Sequence, residues 1–279
     1  MVCISMPTVA NPIVETYSRL ANRYDDEANL RSCWGRASEK ALASLRIRDS
    51  YRIVLDVGCG TGRALLHLAS HSIPEIQFIG VDPATNMCER AACRTADHTN
   101  IKILPGCFEQ IPLEADAVDY LYSIFAFHWV GDVDRSVTEV SRVLKTSGEM
   151  DLFFIGRDNG REVIQKTTPI FLKYMGPALL LASARMRKQL RKDAAFELFA
   201  KSFPASQLSL EESHDTYYDT LEGHWGWWVR IEGHFMQLPP GKKRQCYHEV
   251  RDALLNLADD DHQIPYTIHQ LHVKLRRSH

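Results

Sequence analysis

The residues best suited to hold a ligand lie in one short stretch, Ile53 to Gly62, which reads Ile-Val-Leu-Asp-Val-Gly-Cys-Gly-Thr-Gly. Apolar and β-branched residues lead to an acid, and three glycines follow at alternate positions, Gly58, Gly60 and Gly62. This pattern is typical of a buried strand that turns sharply into a helix. Because glycine has no side chain and tolerates positive φ, such a turn lets a bound molecule approach the backbone. The stretch therefore predicts a ligand site at the end of a strand.

The acid in this stretch, Asp56, narrows the class of ligand. Dinucleotide-binding turns have the spacing G-x-G-x-x-G and bring a pyrophosphate to a helix N-terminus, whereas the spacing here is G-x-G-x-G. A carboxylate at this position would repel a pyrophosphate and would attract a ligand with a positive centre, such as an ammonium or a sulfonium. An NAD-dependent enzyme is therefore disfavoured.

A second acid, Asp82, ends the predicted second strand, Ile76 to Val81. An ionised carboxylate only accepts hydrogen bonds and has two oxygens, which suits a pair of ribose hydroxyls. The alternative is a helix start, since Asp82-Pro83-Ala84 also has the composition of a helix N-terminus. Met87, one turn into that helix, also has two interpretations, contact with a purine face and packing in the core.

The elements predicted from hydrophobic periodicity place these residues along one edge of a sheet. One or two amphipathic helices between Val14 and Leu45 precede the first strand, and five strands alternate with helices by Ile155. This alternation indicates a parallel sheet covered by helices on both faces. The fifth strand is predicted over Met150 to Ile155. The helix that precedes it is predicted to end at Lys145 to Gly148. Small and aromatic residues after the fourth strand, Ser123 to Trp129, are expected to form the floor of the site.

Val54 to Gly62 resembles the first motif of the class I S-adenosylmethionine-dependent methyltransferases nearly letter for letter, and the resemblance extends from about Tyr51 to Ile155. It implies an α/β fold with a Rossmann-like, seven-stranded, mostly parallel sheet and helices on both faces. It also implies an N-terminal helical cover, a helical lid inserted after the fifth strand, and S-adenosyl-L-methionine as the cofactor. The residues assigned to the cofactor are Asp56, Gly58, Cys59, Gly60, Gly62, Asp82, Pro83, Met87, Cys107, Phe108, Ser123 and Phe125.

Cys107 is a departure from that family. Many relatives carry an acid directly after the glycine at this point, which accepts a hydrogen bond from the adenine amino group, but here the position is a cysteine. A thiol is a weak acceptor. We therefore expect this contact to come from Glu109, a backbone carbonyl or water, or to be absent, and Phe108 to be a candidate for stacking on the purine.

We predict four parts of the chain. Residues 1–50 form an N-terminal tail and cover helices, 51–156 the cofactor-binding core, 157–207 the lid insertion, and 208–279 complete the sheet with C-terminal helices. Tyr17 in the cover, and an aromatic segment from Thr220 to Phe235, each have two interpretations: packing, or lining the substrate pocket. A basic run from Arg185 to Lys192 is interpreted as a solvated helix face or a strand end.

Composition excludes several classes of partner. The chain has 279 residues with 33 basic and 35 acidic side chains and a net charge of -2, so there is no overall basic field to attract a nucleic acid or an anionic membrane. Seven cysteines without a C-x-x-C motif indicate a reducing compartment and argue against a zinc cluster. Neither a long apolar window nor a secretory signal is present. We expect a cytoplasmic protein without a metal; the sequence does not indicate an oligomeric state.

We expect methyl transfer to a small molecule, with an oxygen acceptor slightly favoured over nitrogen or carbon. His128-Trp129 and Pro265-Tyr266-Thr267 resemble the branch that contains malonyl-carrier-protein and trans-aconitate methyltransferases, which esterify small carboxylates. A carboxylate acceptor needs no base. A hydroxyl does, and His128 is the best-placed candidate because an imidazole titrates near neutrality; Tyr17 is a second candidate. The alternatives are an N- or C-methyltransferase of a natural product and a non-catalytic methyltransferase-like binding protein.

Overall fold

The computed structural model describes residues 11–230, 238–239 and 241–276. The predicted tail before residue 11, and residues 231–235 of the aromatic segment, lie outside these ranges. Within them, seven strands form one sheet: β1 (Ile53–Val57), β2 (Gln77–Asp82), β3 (Ile101–Pro105), β4 (Val118–Ile124), β5 (Leu144–Ile155), β6 (Leu208–Asp219) and β7 (Ile264–Leu275).

The strand order across the sheet is β3-β2-β1-β4-β5-β7-β6. The first five strands pair in parallel, and β7 lies antiparallel between β5 and β6. Strand β1 is buried on both faces, which explains why all its residues except Asp56 are apolar. The predicted seven-stranded, mostly parallel sheet is confirmed. Because the chain order reverses between β1 and β4, a crevice is expected at their carboxyl ends.

Ten α-helices surround the sheet in the described part of the chain. They are α1 (Pro12–Leu20), α2 (Glu27–Arg31), α3 (Cys33–Ser44), α4 (Arg63–Ser70), α5 (Thr85–Arg94), α6 (Val133–Val143), α7 (Arg161–Ala184), α8 (Lys192–Ala200), α9 (Leu221–Arg230) and α10 (Lys243–Leu255). The N-terminal region is more broken than predicted, with three α-helices and a 3₁₀ turn at Ala21–Arg23. None of the described helices is long and apolar enough to cross a bilayer.

The predicted helix ending at Lys145 to Gly148 is wrong. Helix α6 stops at Val143, and β5 begins at the next residue, with Leu144 paired to Val118. A Cβ on Gly148 would lie 2.9 Å from the carbonyl oxygen of Val118. This glycine therefore permits the close approach of β4 at an irregular point of the pairing, and it does not cap a helix.

The predicted lid insertion contributes helices to two different surfaces. Helix α7, which kinks at Gly176 before Pro177, packs against α10 and β7. Helix α8 packs against β6 and α6, and its Leu198 and Phe199 are buried in the core that covers one face of the sheet. The proposed boundaries of a lid and its closure over the site stay a prediction.

Candidate functional site

A cavity opens at the carboxyl ends of β1 and β4. One wall is the glycine turn and the start of α4, and the opposite walls are the segment after β4 and the N-terminal helices. Its lining residues include Tyr17, Tyr24, Asp25, Asn29, Trp34, Ser38, Glu39, Leu42, Asp56, Gly58, Cys59, Gly60, Thr61, Arg63, Phe125, His128, Trp129 and Arg187. The cavity thus joins the predicted cofactor turn to the predicted acceptor floor.

The three glycines of the turn all have positive φ but meet different surroundings. A Cβ on Gly58 would lie 2.2 Å from the Cβ of Ala126, and one on Gly62 would lie 3.0 Å from the Cβ of Ala91. These two glycines are needed for packing within the protein. At Gly60 a Cβ would meet nothing within 4 Å, so this glycine faces open space in the cavity. Gly60 is the position at which a ligand can approach the backbone closely.

Asp82 is tied to the glycine turn. One carboxylate oxygen accepts a hydrogen bond from the Gly60 N–H at 2.9 Å, and the other accepts from the Ala84 N–H at 2.8 Å. Burial raises the pKa of this carboxyl, and the two N–H groups oppose that shift. Each oxygen keeps a second lone-pair direction for a ligand hydroxyl, but Asp82 is buried beneath the cover and does not line the cavity described above. Its contact with a ribose stays a prediction.

Asp56 lines the cavity and is only 3% exposed. Burial raises the pKa of its carboxyl to about 8; the neighbouring Tyr122 hydroxyl opposes this rise, and the charge of Asp82 adds to it. When such a buried carboxyl is ionised, its negative charge stabilises a cationic ligand. This environment fits the positive centre inferred from the sequence.

The acceptor floor is formed by the residues that follow β4. Phe125 has a φ of 55°, which is uncommon for a side chain of its size and marks a strained backbone at the cavity wall. Its N–H donates to the Phe153 carbonyl at 2.8 Å, which holds the strained residue in place. Ser123 is fully buried, and its hydroxyl donates to the Val57 carbonyl at 2.6 Å. Ser123 therefore joins β4 to β1 and does not line the cavity.

His128 lies in a 3₁₀ turn, Phe127–Trp129, and faces the cavity. It is 4% exposed, and its Nδ1 atom has no hydrogen-bond partner among the described residues. Burial, together with the positive charge of Arg187, holds the pKa of this imidazole well below its usual value. His128 is thus neutral at physiological pH and offers an unsatisfied polar atom to a ligand.

Tyr17 also lines the cavity, and its ring lies edge-on to Trp129 with 6.2 Å between centroids. Burial raises the pKa of its hydroxyl well above 10, and the charge of Tyr24 would add to the shift while Arg187 opposes it. A phenol that stays protonated is a poor general base. The geometry supports the pocket-lining interpretation of Tyr17 and favours a positioning role over proton abstraction.

Several residues predicted for the adenine side lie away from this cavity. Pro83 is exposed, and Met87 is buried against Ala21 and Ala84 beneath the cover. Phe108 is 4% exposed and packs edge-on against Phe127 at 5.2 Å, so its ring belongs to the core. Cys107 is half-buried in a turn closed by hydrogen bonds with Gln110. Their contact with a cofactor stays a prediction.

The sequence missed two parts of the cavity wall. Trp34, Ser38 and Leu42 on α3 line it at four-residue spacing, a helical pattern that could have suggested one shared face. Arg187, inside the basic run interpreted as a solvated face, lies over the Trp129 ring with its guanidinium carbon 4.9 Å from the ring centroid. Nothing within a run of basic residues indicates that one of their side chains lines a cavity.

Asp158, His214 and His269 form a separate cluster near β6 and β7, and their potential ligand atoms lie within 4.8 Å of one another. The protein already uses both ring nitrogens of His269: Nδ1 accepts from the Asp158 N–H at 2.9 Å, and Nε2 lies 2.8 Å from Glu212. A metal ion would have to displace one of these bonds. We assign no metal to this cluster.

Comparison with known proteins gives a consistent result. Residues 55–151 match a family model described as a methyltransferase domain. Similar curated proteins include the malonyl-[acyl-carrier protein] O-methyltransferases of Gallionella capsiferriformans, 31% identical over 54% of this chain and 53% of that protein, and of Methylovorus sp., 28% identical over 53% and 51%. The chain spans about half the length of these curated relatives.

Among solved structures, the YcgJ protein of Bacillus subtilis matches with a TM-score of 0.59 and 18% identity, covering 88% of this chain and all of that one. A Haloferax volcanii protein, solved in complex with the Trm112 methyltransferase activator, matches with a TM-score of 0.56 and 18% identity over 94% of this chain and 98% of its own. At such identities the likeness concerns the fold alone.

Proposed function

We propose that this chain is a class I S-adenosylmethionine-dependent methyltransferase and that it transfers a methyl group from S-adenosyl-L-methionine to an oxygen atom of a small molecule. The observation that carries the proposal is the single cavity that runs from the open glycine turn at Gly60 and Asp56 to the floor at His128 and Trp129. Such a cavity holds a donor and an acceptor side by side.

The donor end of the cavity suits the cofactor. Gly60 leaves room for a close approach to the backbone, and the Asp56 carboxyl lies where a positive charge would be stabilised. Asp82, fixed to the same turn, has free lone pairs for ribose hydroxyls. When bound, the cofactor supplies an activated methyl group together with its leaving group, so the protein has little covalent chemistry to perform.

At the acceptor end the residues position the nucleophile and exclude water. Tyr17 and Trp34 of the cover face Trp129 and Phe125 of the floor, and together they form aromatic walls. His128 offers Nδ1 to a polar group of the acceptor. Because its pKa is held well below its usual value, it takes a proton weakly, which favours an acceptor oxygen that is already ionised.

Oxygen methylation also has support from the relatives, since the malonyl-[acyl-carrier protein] enzymes act on an oxygen by name and share about half of their length with this chain. Transfer to nitrogen or carbon remains the alternative from the same fold, and analysis of the methylated product separates the three. The small-molecule acceptor and the cytoplasmic location are parts of this proposal. One structural neighbour is bound to a protein activator, and we assign no protein partner to this chain.

Replacing Gly60 by alanine tests the cofactor site. The added methyl group enters the cavity, so we expect Gly60→Ala to weaken S-adenosylmethionine and S-adenosylhomocysteine binding at least about tenfold, as about 1.4 kcal/mol would. Gly176→Ala is the matched control: Gly176 also has positive φ, at 75°, and a Cβ there also meets nothing within 4 Å, but it does not line the cavity.

Both variants strain the backbone, and Gly176→Ala strains it more, because φ 75° with ψ 169° is a conformation essentially restricted to glycine. Both should therefore lose stability, while only Gly60→Ala loses affinity in calorimetric titration. Wild-type protein that is folded but binds neither ligand would overturn the proposal. Equal affinity in wild-type and Gly60→Ala protein would overturn the placement of the cofactor at this turn.

A further inference from the structure

We propose that Tyr122 is a positioning residue for the cofactor: its hydroxyl donates to the Asp56 carboxylate when a cationic ligand lies in the cavity, and so holds that charge toward the ligand. This inference rests on the proposed function, because Asp56 lies at the donor end of the cavity. It gives a role to a buried tyrosine that does not itself line the cavity.

The pairing of two neighbouring strands places Tyr122 beside Asp56. In the parallel register of β1 and β4, Asp56 lies opposite Tyr122, and Val54 lies opposite Tyr120. Because alternate residues of a strand point to the same face of a sheet, these four side chains share one face. Asp56 reaches the cavity at the carboxyl end of that face, whereas Tyr122 is fully buried in the core cluster that also contains Val54 and Tyr120.

The Tyr122 hydroxyl forms no well-formed hydrogen bond among the described residues, although it is fully buried. Its polar neighbour is the Asp56 carboxyl. Burial is the main reason that the pKa of each group is raised; beyond burial, the phenol opposes the rise at Asp56, and the carboxyl adds to the rise at Tyr122. A buried hydroxyl without a good acceptor is unfavourable, so its place beside an acid indicates a bond that forms when the acid becomes a better acceptor.

Ionisation makes Asp56 that better acceptor. A carboxylate only accepts hydrogen bonds, and its bonds with hydroxyl groups are shorter and stronger than those of a neutral acid. With a pKa of about 8, Asp56 is mostly protonated at pH 7 until a cation lies beside it. When the cation binds, the carboxyl proton leaves to solvent and the Tyr122 O–H gains a charged acceptor. Its bond fixes one carboxylate oxygen and leaves the other to face the ligand.

The other titratable groups around Asp56 do not supply such a donor. Asp82 of β2 opposes its ionisation by charge. The Cys59 thiol of the glycine turn stays protonated, because burial raises its pKa, and a thiol is a weak donor. Glu39 and Arg63, which line the same cavity, form an ion pair with each other. The phenol on β4 is therefore the group best suited to hold the carboxylate.

The test compares the pH dependence of S-adenosylmethionine binding in wild-type, Tyr122→Phe and Tyr120→Phe protein. Tyr120→Phe is the matched control, because Tyr120 lies two residues earlier on the same face of β4 and is also buried, but its hydroxyl donates to Asp151 at 2.6 Å. Calorimetric titration from pH 6.5 to 9 measures the affinity, and denaturant titration of the free proteins measures their stability.

We expect Tyr122→Phe to bind S-adenosylmethionine about tenfold more weakly than wild type at pH 7, with a difference that narrows as the pH rises toward 9. Loss of the donor raises the pKa of Asp56 further, so a smaller fraction of the carboxyl is ionised at neutral pH. Tyr120→Phe should keep the wild-type pH profile.

Stability should change in the opposite order. Tyr122→Phe should unfold at the same denaturant concentration as wild type or at a higher one, because it removes a buried hydroxyl that has no well-formed bond. Tyr120→Phe should unfold at a lower concentration, because it removes a donor from the buried Asp151 carboxylate.

The Asp56→Asn variant separates positioning from packing. An amide at this position cannot ionise, so adding Tyr122→Phe to Asp56→Asn should change the affinity by less than about twofold if the hydroxyl acts only through the carboxylate. A role of Tyr122 in packing alone would give the same loss in both backgrounds.

A Tyr122→Phe profile that coincides with that of wild type, or a loss of the same size at every pH, would overturn the inference. Wild-type affinity that does not change with pH, or an equal loss in the Asp56→Asn background, would overturn it too. These results are distinct from failure of the proposed function, in which folded wild-type protein binds no S-adenosylmethionine at any pH.

Discussion

The buried carboxyl of Asp56 couples the binding of a cationic ligand to the release of a proton. Its carboxyl lines the cavity, and burial raises its pKa to about 8, with the Tyr122 hydroxyl acting against that rise and Asp82 adding to it. A carboxyl with a pKa of about 8 is mostly protonated at pH 7 when no cation lies beside it. A cationic ligand beside it stabilises the carboxylate, so binding at neutral pH releases a proton.

We expect the affinity for S-adenosylmethionine to fall by up to about tenfold per pH unit as the pH is lowered below 8, and to level off above it. Calorimetric titration from pH 6.5 to 9, in buffers of different ionisation enthalpy, measures both the affinity and the released proton. Asp56→Asn, which cannot ionise, should bind more weakly with no such dependence. An affinity independent of pH in wild-type protein would contradict the role given to Asp56.

Arg94 is one of the arginines that join the N-terminal helices α1 to α3 to the glycine turn. Arg94 of α5 donates to the Thr61 carbonyl and hydroxyl oxygens at 2.9 and 2.8 Å, and it pairs with Asp25 of the cover at 2.6 Å. A further bond of 2.9 Å runs from the Asn86 side chain to the Ser18 carbonyl. The cover therefore rests on the same turn that forms the donor end of the cavity.

Arg94→Gln should loosen this cover. We expect faster amide hydrogen exchange across residues 12–31 and a several-fold weaker affinity for S-adenosylhomocysteine, because the ligand must then order a more mobile wall. Arg90→Gln, an exposed arginine on the same helix, is the control and should leave both unchanged. Exchange in the cover that is the same in Arg94→Gln and wild-type protein would show that the arginine does not hold it.

The complete sheet includes the C-terminal strand β7, and Asp151 of the neighbouring strand β5 joins β7 to the rest of the sheet. This carboxylate accepts hydrogen bonds from His272 at 2.7 Å, Tyr120 at 2.6 Å and Arg276 at 2.8 and 2.6 Å. Burial alone would raise the pKa of Asp151, but the bonds from His272 and Tyr120 and the charge of Arg276 hold it below its usual value. An acid with a lowered pKa stabilises the fold while it is ionised.

We expect Asp151→Asn to lower the free energy of unfolding by about 3 kcal/mol at pH 7, since it leaves buried donors and a charge without their partner. The contribution of Asp151 is fully present above the unfolded-state pKa of about 4 and is lost as the pH falls through the lowered folded-state pKa, so the difference from wild type should shrink below pH 4. Denaturant titrations at several pH values measure it.

Asp134→Asn is the control, because Asp134 pairs with Lys201 on the surface with side chains 63% and 64% exposed. It should change stability by less than about 1 kcal/mol. A loss for Asp151→Asn no larger than for Asp134→Asn would show that the buried cluster does not hold β7 in the sheet.

The sequence alone was sufficient for the parallel core and for its glycine turn. Short-range signals specify β1, the turn from Gly58 to Gly62 and the acid at the end of β2, because apolar runs and glycine spacing act over a few residues. The same short-range signals fail where contacts with backbone far along the chain determine the secondary structure. Gly148 has the local pattern of a helix end, yet it lies in β5, which pairs with β4. The Val118 carbonyl oxygen is 2.9 Å from where its Cβ would be, and this close approach explains the glycine.

Only the tertiary structure decided which side chains share the cavity. Phe108 follows a site motif along the chain but packs on Phe127, whereas Arg187 belongs to an unremarkable basic run and lies over Trp129. Trp34, Ser38 and Leu42 join the same cavity from a helix without a motif. The physical reason is that burial and charge pairing depend on contacts between segments far apart in the chain, and no pattern within one segment records its partners.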